Sequence, residues 1–132
     1  MKLPINGSFI LLNTIMMKVY GLSTCRQTQK ALAWFKTHHI AVEFHNFKTA
    51  GISPAKLQEW DAEAGYDVFF NRKGLTWKKL SQEVKESVKT KEDALALLKE
   101  QPGIIKRPVI EDNSFLFFGV DEELYEAQFL KK

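Results

Sequence analysis

The sequence contains a single cysteine, Cys25, among its 132 residues. One cysteine excludes an intramolecular disulfide and any metal site built from several cysteines, and it fits a reducing compartment. If this thiol takes part in redox chemistry, its partner thiol must come from another molecule. We therefore predict no disulfide framework and no metal site, and we expect a cytoplasmic protein.

Glycine and proline are also scarce, with seven and four residues, whereas 45% of the chain is apolar. This composition excludes collagen-like, low-complexity and wholly disordered chains, and the length suits one domain with a single core. The net charge is only +3. Because proteins that bind nucleic acid usually carry a clustered basic face, we expect no direct nucleic-acid binding.

No hydrophobic run is long enough to cross a bilayer, which needs about 20 apolar residues. Lys2 precedes an apolar stretch at residues 9–16, but Asn13 and Thr14 interrupt it and no small-residue cleavage site follows. We therefore predict neither export nor membrane insertion. Met16 and Met17 stand directly before a strand-like segment, so residues 1–16 are predicted to be an N-terminal extension or a misassigned start, and residues 17–132 to be the domain.

The first part of the domain is predicted to form a β-α-β unit. Residues 18–22 read as a strand, and Ser23 and Thr24 are candidate N-caps for a helix over residues 25–37. Residues 42–47 alternate apolar and polar side chains, as a half-buried strand does. One face of the helix carries side chains at spacings of three and four residues, namely Thr28, Ala31, Leu32 and Phe35.

The second part predicts helices followed by a hairpin. Ser53 and Pro54 begin a helix that runs to residue 64, and residues 77–88 and 91–100 read as two more. Strands at residues 109–111 and 115–118 are separated by the turn Asp112-Asn113, and a last amphipathic helix covers residues 121–130. This order predicts a mixed α/β sheet with a helical insertion.

Cys25 is predicted to lie in the first turn of the first helix. A helix N-terminus offers about half a positive charge and unpaired N–H groups, both of which favour the reactive thiolate over the thiol. Arg26 would add positive charge, and the Thr28 hydroxyl, one turn along, would donate a hydrogen bond to the sulfur. The alternative is that Cys25 is a small buried apolar residue without chemistry.

Several segments resemble the ArsC/Spx family of arsenate reductase-like proteins. They are KVYGLSTCRQTQKALAWF around Cys25, Asn71-Arg72-Lys73, the segment IKRPVI at residues 105–110, and FGVDEELYEAQF at residues 118–129. The resemblance covers the whole domain. It implies a glutaredoxin-related, thioredoxin-like α/β fold with a helical insertion between the β-α-β and β-β-α halves, and it makes Pro108 the candidate for a cis proline beside the active cysteine.

The resemblance also implies a site. In arsenate reductases of this type the cysteine attacks the arsenic oxyanion, glutathione resolves the adduct, and glutaredoxin reduces the mixed disulfide. Cys25, Arg72 and Arg107 match the family's catalytic and anion-binding positions. The third arginine is missing, because residues 117–120 are Phe, Phe, Gly and Val, and one charged contact is worth about 1.5–3 kcal/mol of anion binding. The residues alone leave two simpler interpretations open: a solvated charge pair at Arg72-Lys73 and a turn held by Arg107.

We therefore predict a glutathione-linked monothiol reductase with no tightly bound cofactor. Cys25 would attack a small oxyanion or an oxidised thiol substrate, Arg107 and Arg72 would orient its anionic groups, and glutathione or glutaredoxin would supply the resolving thiol. The alternative is an Spx-like module that binds RNA polymerase without catalysis, and a third is an inert scaffold. Thr28 stands where a Cys-x-x-Cys switch would need its second cysteine, so a disulfide switch is excluded.

Overall fold

The computed structural model describes residues 17–130, so the prediction for residues 1–16 lies outside the described residues. A four-stranded sheet is built from β1 (Met17–Gly21), β2 (Val42–Asn46), β3 (Val109–Glu111) and β4 (Leu116–Phe118), in the order β2-β1-β3-β4. β1 runs parallel to β2 and antiparallel to β3, and β3 is antiparallel to β4. The central strand β1 therefore joins the two halves of the chain.

Alternating side chains of β1 enter two separate cores. Val19 packs with Ala31 and Phe35 of helix α1 (Arg26–Thr37) and with Tyr125 of the C-terminal helix α8 (Glu122–Phe129). Tyr20 points to the opposite face and packs against the helical insertion. This period of two is what a strand buried on both faces requires.

The insertion between β2 and β3 is helical and covers the face of the sheet opposite α1. Its elements are α2 (Phe47–Ala50), α3 (Pro54–Ala64), α4 (Tyr66–Phe69), α5 (Leu75–Lys78), α6 (Gln82–Glu86), α7 (Lys91–Glu100) and a 3-10 turn at Pro102–Ile104. Trp60, Phe69 and Leu98 are fully buried at its centre. The predicted thioredoxin-like fold with a helical insertion is thereby confirmed.

Glu111 connects the insertion to the sheet. Its carboxylate accepts hydrogen bonds from the Tyr20 hydroxyl at 2.7 Å and from the Trp60 indole N–H at 3.0 Å. The Lys56 ammonium lies 3.3 Å from the same carboxylate, whose side chain is only 18% exposed. Because Tyr20 lies in β1 while Lys56 and Trp60 lie in α3, one acidic side chain ties three elements together.

Two sequence predictions of local structure in the insertion and at the strand before it are wrong. Residues 77–88 are not one helix, because Ser81 accepts a hydrogen bond from the Val84 N–H and begins α6 as a new helix. The strand predicted to reach residue 47 ends at Asn46, whose side chain accepts from the Lys48 N–H and caps α2. In both places a side-chain oxygen accepts a hydrogen bond from a backbone N–H and begins a new helix, so the predicted element ends there.

Within residues 17–130, no helix is both long and apolar enough to cross a membrane.

Candidate functional site

Cys25 lies at the C-terminal end of β1, where the chain turns into α1. Its N–H donates to the Leu22 carbonyl at 3.0 Å, and its own carbonyl accepts the first helical hydrogen bond, from the Gln29 N–H. With an extended backbone (φ −83°, ψ 124°), Cys25 is the N-cap of α1. The predictions that it occupies the first helical turn and that Ser23 or Thr24 caps the helix are therefore wrong, because both of those residues lie in the preceding turn.

The surroundings of Cys25 lower the pKa of its thiol. Partial burial opposes ionisation, but it is outweighed by hydrogen bonding from the Thr28 side chain and backbone N–H, by the positive charge of Arg107 and by the Gln27 N–H. The structure shows no N-cap hydrogen bond to the Cys25 side chain, and neutral sulfur is a weak acceptor. The helix N–H groups therefore act mainly on the thiolate, which is the nucleophilic form.

Thr28 is fully buried, and its hydroxyl contacts the backbone directly after β1. The Leu22 N–H lies 3.4 Å from the Thr28 Oγ1 and donates to it. A hydroxyl carries one proton besides its acceptor lone pairs, so Thr28 can accept from Leu22 and still donate to the sulfur of Cys25, whose pKa it helps to lower. The predicted role of Thr28 in stabilising the thiolate is consistent with this arrangement, whereas the Gln27 N–H is a contributor that the sequence did not single out.

A cavity of about 430 Å³ opens at Cys25. Its other lining residues are cationic and amide side chains, residues at the end of β4, and residues that follow β4: Gln27, Asn71, Lys106, Arg107, Phe117, Phe118, Gly119, Val120 and Asp121. The Arg107-Pro108 peptide bond is cis, as predicted for Pro108. Arg107, which the family resemblance assigned to the site, lines the same cavity as Cys25, and its role in orienting a substrate stays a prediction.

Lys106 and Asn71 are lining residues that sequence reasoning missed. No acidic oxygen in residues 17–130 lies within 4.0 Å of a nitrogen of Lys106 or Arg107, so neither cation is neutralised by an ion pair there. The Asp121 carboxylate, which lines the same cavity, accepts the Leu124 N–H and caps α8. The basic pair Lys106-Arg107, directly before a proline, is the signal that could have identified Lys106.

Arg72 and Arg26 lie apart from this cavity. The Arg72 guanidinium stacks over the Phe70 ring at 4.4 Å and near the Trp77 ring at 5.6 Å. It lines a neighbouring cavity of about 480 Å³, which shares Asn71 and Lys106 with the first. Arg26 is exposed at the start of α1. Roles for Arg72 in catalysis and for Arg26 at the thiolate stay predictions.

Replacing Thr28 with alanine is expected to raise the pKa of Cys25, because the hydroxyl that favours the thiolate is lost. The measurement is the pH midpoint of Cys25 alkylation by iodoacetamide, followed by intact mass. The wild-type midpoint should lie below that of the same protein unfolded in urea, and the variant's should lie between the two. Thr24→Ala, at an exposed position of the preceding turn, serves as the control and should keep the wild-type midpoint.

The arrangement offers one nucleophile in a cavity that two cationic side chains, Lys106 and Arg107, also line. Among residues 17–130, no three His, Cys, Asp or Glu side chains are grouped so that they could hold a metal ion. A thiolate beside unpaired cations suits attack on an electrophilic atom carried by an anionic molecule. With a single thiol, any covalent adduct must be resolved from outside the chain.

Comparison with known proteins agrees with this fold. The family model of the ArsC family matches residues 20–128. The YffB protein has a solved structure that is 34% identical, with a TM-score of 0.78 over 85% of this chain and 97% of that one. An arsenate reductase (ArsC) related protein from Brucella melitensis is 30% identical, with a TM-score of 0.68 over 90% and 98%.

A regulatory relative is also found. The global transcriptional regulator Spx of Streptococcus agalactiae is 26% identical over 85% of this chain and 82% of its own length. The family model spans most of the described residues, including Cys25, the cis proline and both lysine and arginine positions of the cavity. The chain therefore belongs to the ArsC family.

Proposed function

We propose that this protein is a glutathione-linked thiol reductase in which Cys25 is the nucleophile. The observation that carries the proposal is the position of Cys25: it occupies the N-cap of α1, its pKa is lowered, and it lines a cavity with Lys106 and Arg107, which form no ion pair within residues 17–130. A buried structural cysteine needs none of these features. The proposal is supported by the solved relative related to arsenate reductase.

The reaction proceeds through one mixed disulfide. The Cys25 thiolate attacks the glutathione sulfur of a glutathionylated substrate, so that a Cys25–glutathione disulfide forms while the substrate thiolate leaves and takes up a proton. A second glutathione thiolate then attacks the glutathione sulfur of this disulfide. Oxidised glutathione is released, and Cys25 returns as a thiolate. The net exchange converts one glutathione thiol and the substrate mixed disulfide into a substrate thiol and oxidised glutathione, and no bound cofactor is needed.

The cavities favour an elongated anionic ligand over a compact oxyanion. Arg107 and Lys106 stand beside Cys25, whereas Arg72 is reached only through the adjoining cavity that shares Lys106 and Asn71. The three cations therefore follow a path and do not surround one point. Glutathione is a tripeptide with two carboxylates, and such a ligand could reach from the sulfur of Cys25 toward both cavities. A tetrahedral oxyanion would contact only the first.

The direct test is to incubate the protein with oxidised glutathione and measure its intact mass. One glutathione should attach, it should be located on Cys25, and reduced glutathione or glutaredoxin should remove it. Arsenate present during alkylation should protect Cys25 weakly, while glutathione disulfide should modify it. A protein that resists glutathionylation at pH 7, or one modified only after unfolding, would contradict the proposal.

Replacing Lys106 with methionine is expected to weaken binding of glutathione-containing substrates. Lys106 is exposed, so its charge should be worth about 0.5–1 kcal/mol, which corresponds to a two- to fivefold increase in KM. The value of kcat should change little, because the lysine does not touch the reacting sulfur. Steady-state kinetics check this. Lys99→Met serves as the control, because Lys99 lines neither the Cys25 cavity nor the adjoining cavity of Arg72. An unchanged KM would remove Lys106 from the binding site.

A second candidate is a regulatory module that binds RNA polymerase, and the similarity to Spx favours it. Binding of this kind would not need the Cys25 thiolate. RNA polymerase from the source cells should then be retained equally by immobilised wild-type protein and by the Cys25→Ser variant. No retention by either protein would leave the reductase as the better account.

A further inference from the structure

We propose that Gly21 is a positioning residue for Cys25, because the absence of a side chain there lets the Thr28 hydroxyl close onto the end of β1. This inference rests on the proposed function of Cys25 and concerns how its thiolate is set up. Gly21 is the last residue of β1, and Thr28 lies in the first turn of α1.

The space at Gly21 is already filled by Thr28. A Cβ atom added to Gly21 would lie 2.3 Å from the Thr28 Oγ1 and 2.8 Å from its Cγ2. Both distances are shorter than van der Waals contact, and together they involve both branches of the threonine. Rotation about χ1 therefore exchanges one overlap for another. Even an alanine at position 21 would have to displace Thr28.

Backbone conformation does not explain a glycine at this position. Among residues 17–130, the glycines with positive φ are Gly51, Gly65 and Gly119, and Gly21 is not one of them. It lies in regular strand geometry, paired in register with Asn46 of β2. Any residue could adopt this backbone, so the requirement for glycine here is one of space.

Neither Thr28 nor the end of β1 can move out of this contact at a low cost in free energy. Thr28 is fully buried, and α1 is held against the sheet by Ala31 and Phe35, which are also fully buried. On the other side, β1 is the central strand and pairs with both β2 and β3. A methyl group at position 21 would therefore move the Thr28 hydroxyl away from the Leu22 N–H and from the sulfur of Cys25.

The experiment measures the pH midpoint of Cys25 alkylation in folded variants. Gly21→Ala should shift the midpoint upward, to about the value of Thr28→Ala. In the Thr28→Ala background the same change should cause no further shift, because the hydroxyl it displaces is already gone. A wild-type midpoint in Gly21→Ala, or a further upward shift in the double variant, would overturn the inference.

Gly103 provides a matched control. A Cβ added there would lie 2.8 Å from the Thr76 Oγ1 and 3.3 Å from its Cγ2, again a glycine against a threonine. Neither residue lines the Cys25 cavity. Both Gly103→Ala and Gly21→Ala should lower the melting temperature. Gly103→Ala should leave the pH midpoint of Cys25 alkylation at its wild-type value. If Gly103→Ala shifts the midpoint equally, general loosening is the cause and the inference fails.

A milder pair of variants covers the case in which Gly21→Ala does not fold. Thr28→Ser keeps the hydroxyl and removes the methyl group, so it should retain the low midpoint. Adding Gly21→Ala to Thr28→Ser should raise the midpoint, and an unchanged value would contradict the inference. Glutathionylation of wild-type Cys25 is measured separately. A normal wild-type adduct together with an insensitive Gly21→Ala midpoint would reject this inference while leaving the proposed function intact.

Discussion

Replacing Cys25 with serine is expected to reduce glutathione-dependent disulfide reduction to the background rate. A serine hydroxyl ionises far less readily than a thiol and cannot form a disulfide, so neither half of the exchange can occur. The measurement is oxidation of glutathione in the presence of a glutathionylated peptide, coupled to glutathione reductase. Intact mass of the variant after incubation with oxidised glutathione should show no adduct.

The fold should survive this change, which makes the result interpretable. Serine is among the preferred N-cap residues, and Cys25 occupies the N-cap of α1. The melting temperature of Cys25→Ser should therefore equal or exceed that of the wild type, and Cys25→Ala should melt slightly lower. If the serine variant retained measurable thiol transfer, the nucleophile would have to lie elsewhere, and no other cysteine exists in the chain.

Replacing Glu111 with glutamine is expected to cause the largest loss of stability among the changes considered. The amide keeps one accepting oxygen, whereas Tyr20, Trp60 and Lys56 all present donors to the carboxylate. At least one of them would face an N–H group, and Lys56 would lose its counter-ion. We expect the free energy of unfolding to fall by about 1.5–3 kcal/mol. This corresponds to a fall in melting temperature of roughly 5–15 °C.

Glu59 supplies a matched control for this prediction. It contacts the same Lys56 ammonium at 2.9 Å, but its side chain is 63% exposed. Exposed ion pairs contribute about 0–1 kcal/mol, so Glu59→Gln should change stability by less than that. Equal effects of the two substitutions in thermal unfolding would mean that the ion pair with Lys56, and not the three-donor network, determines the contribution of Glu111.

The parts of the site that follow from local sequence could be predicted. Cys25 and Thr28 are three residues apart at a helix start, and that spacing alone places a hydroxyl beside a thiol. The Arg107-Pro108 pair could be assigned from the family resemblance, and its bond is cis. Burial of Thr28, Ala31 and Phe35 on one face of α1 follows from helical periodicity.

The remaining parts depend on contacts between distant segments. Asn71 and Lys106 come together with Cys25 only because the insertion folds back over the sheet, and no local pattern encodes that contact. The short helices α2 and α4 have four residues each, which is too few to show a helical period. Glu111 gave no signal either, because an acidic residue at the end of a strand is usually exposed.

The central position of β1 has a consequence for how the reactive thiol arises during synthesis. β1 can pair with β2 soon after both leave the ribosome, but β3 and the cavity wall at residues 106–121 emerge much later. Until then the nascent chain lacks Arg107, whose charge helps to lower the pKa of Cys25. We therefore expect the thiol of an unfinished chain to be less ionised, and less reactive toward disulfides, than that of the folded protein.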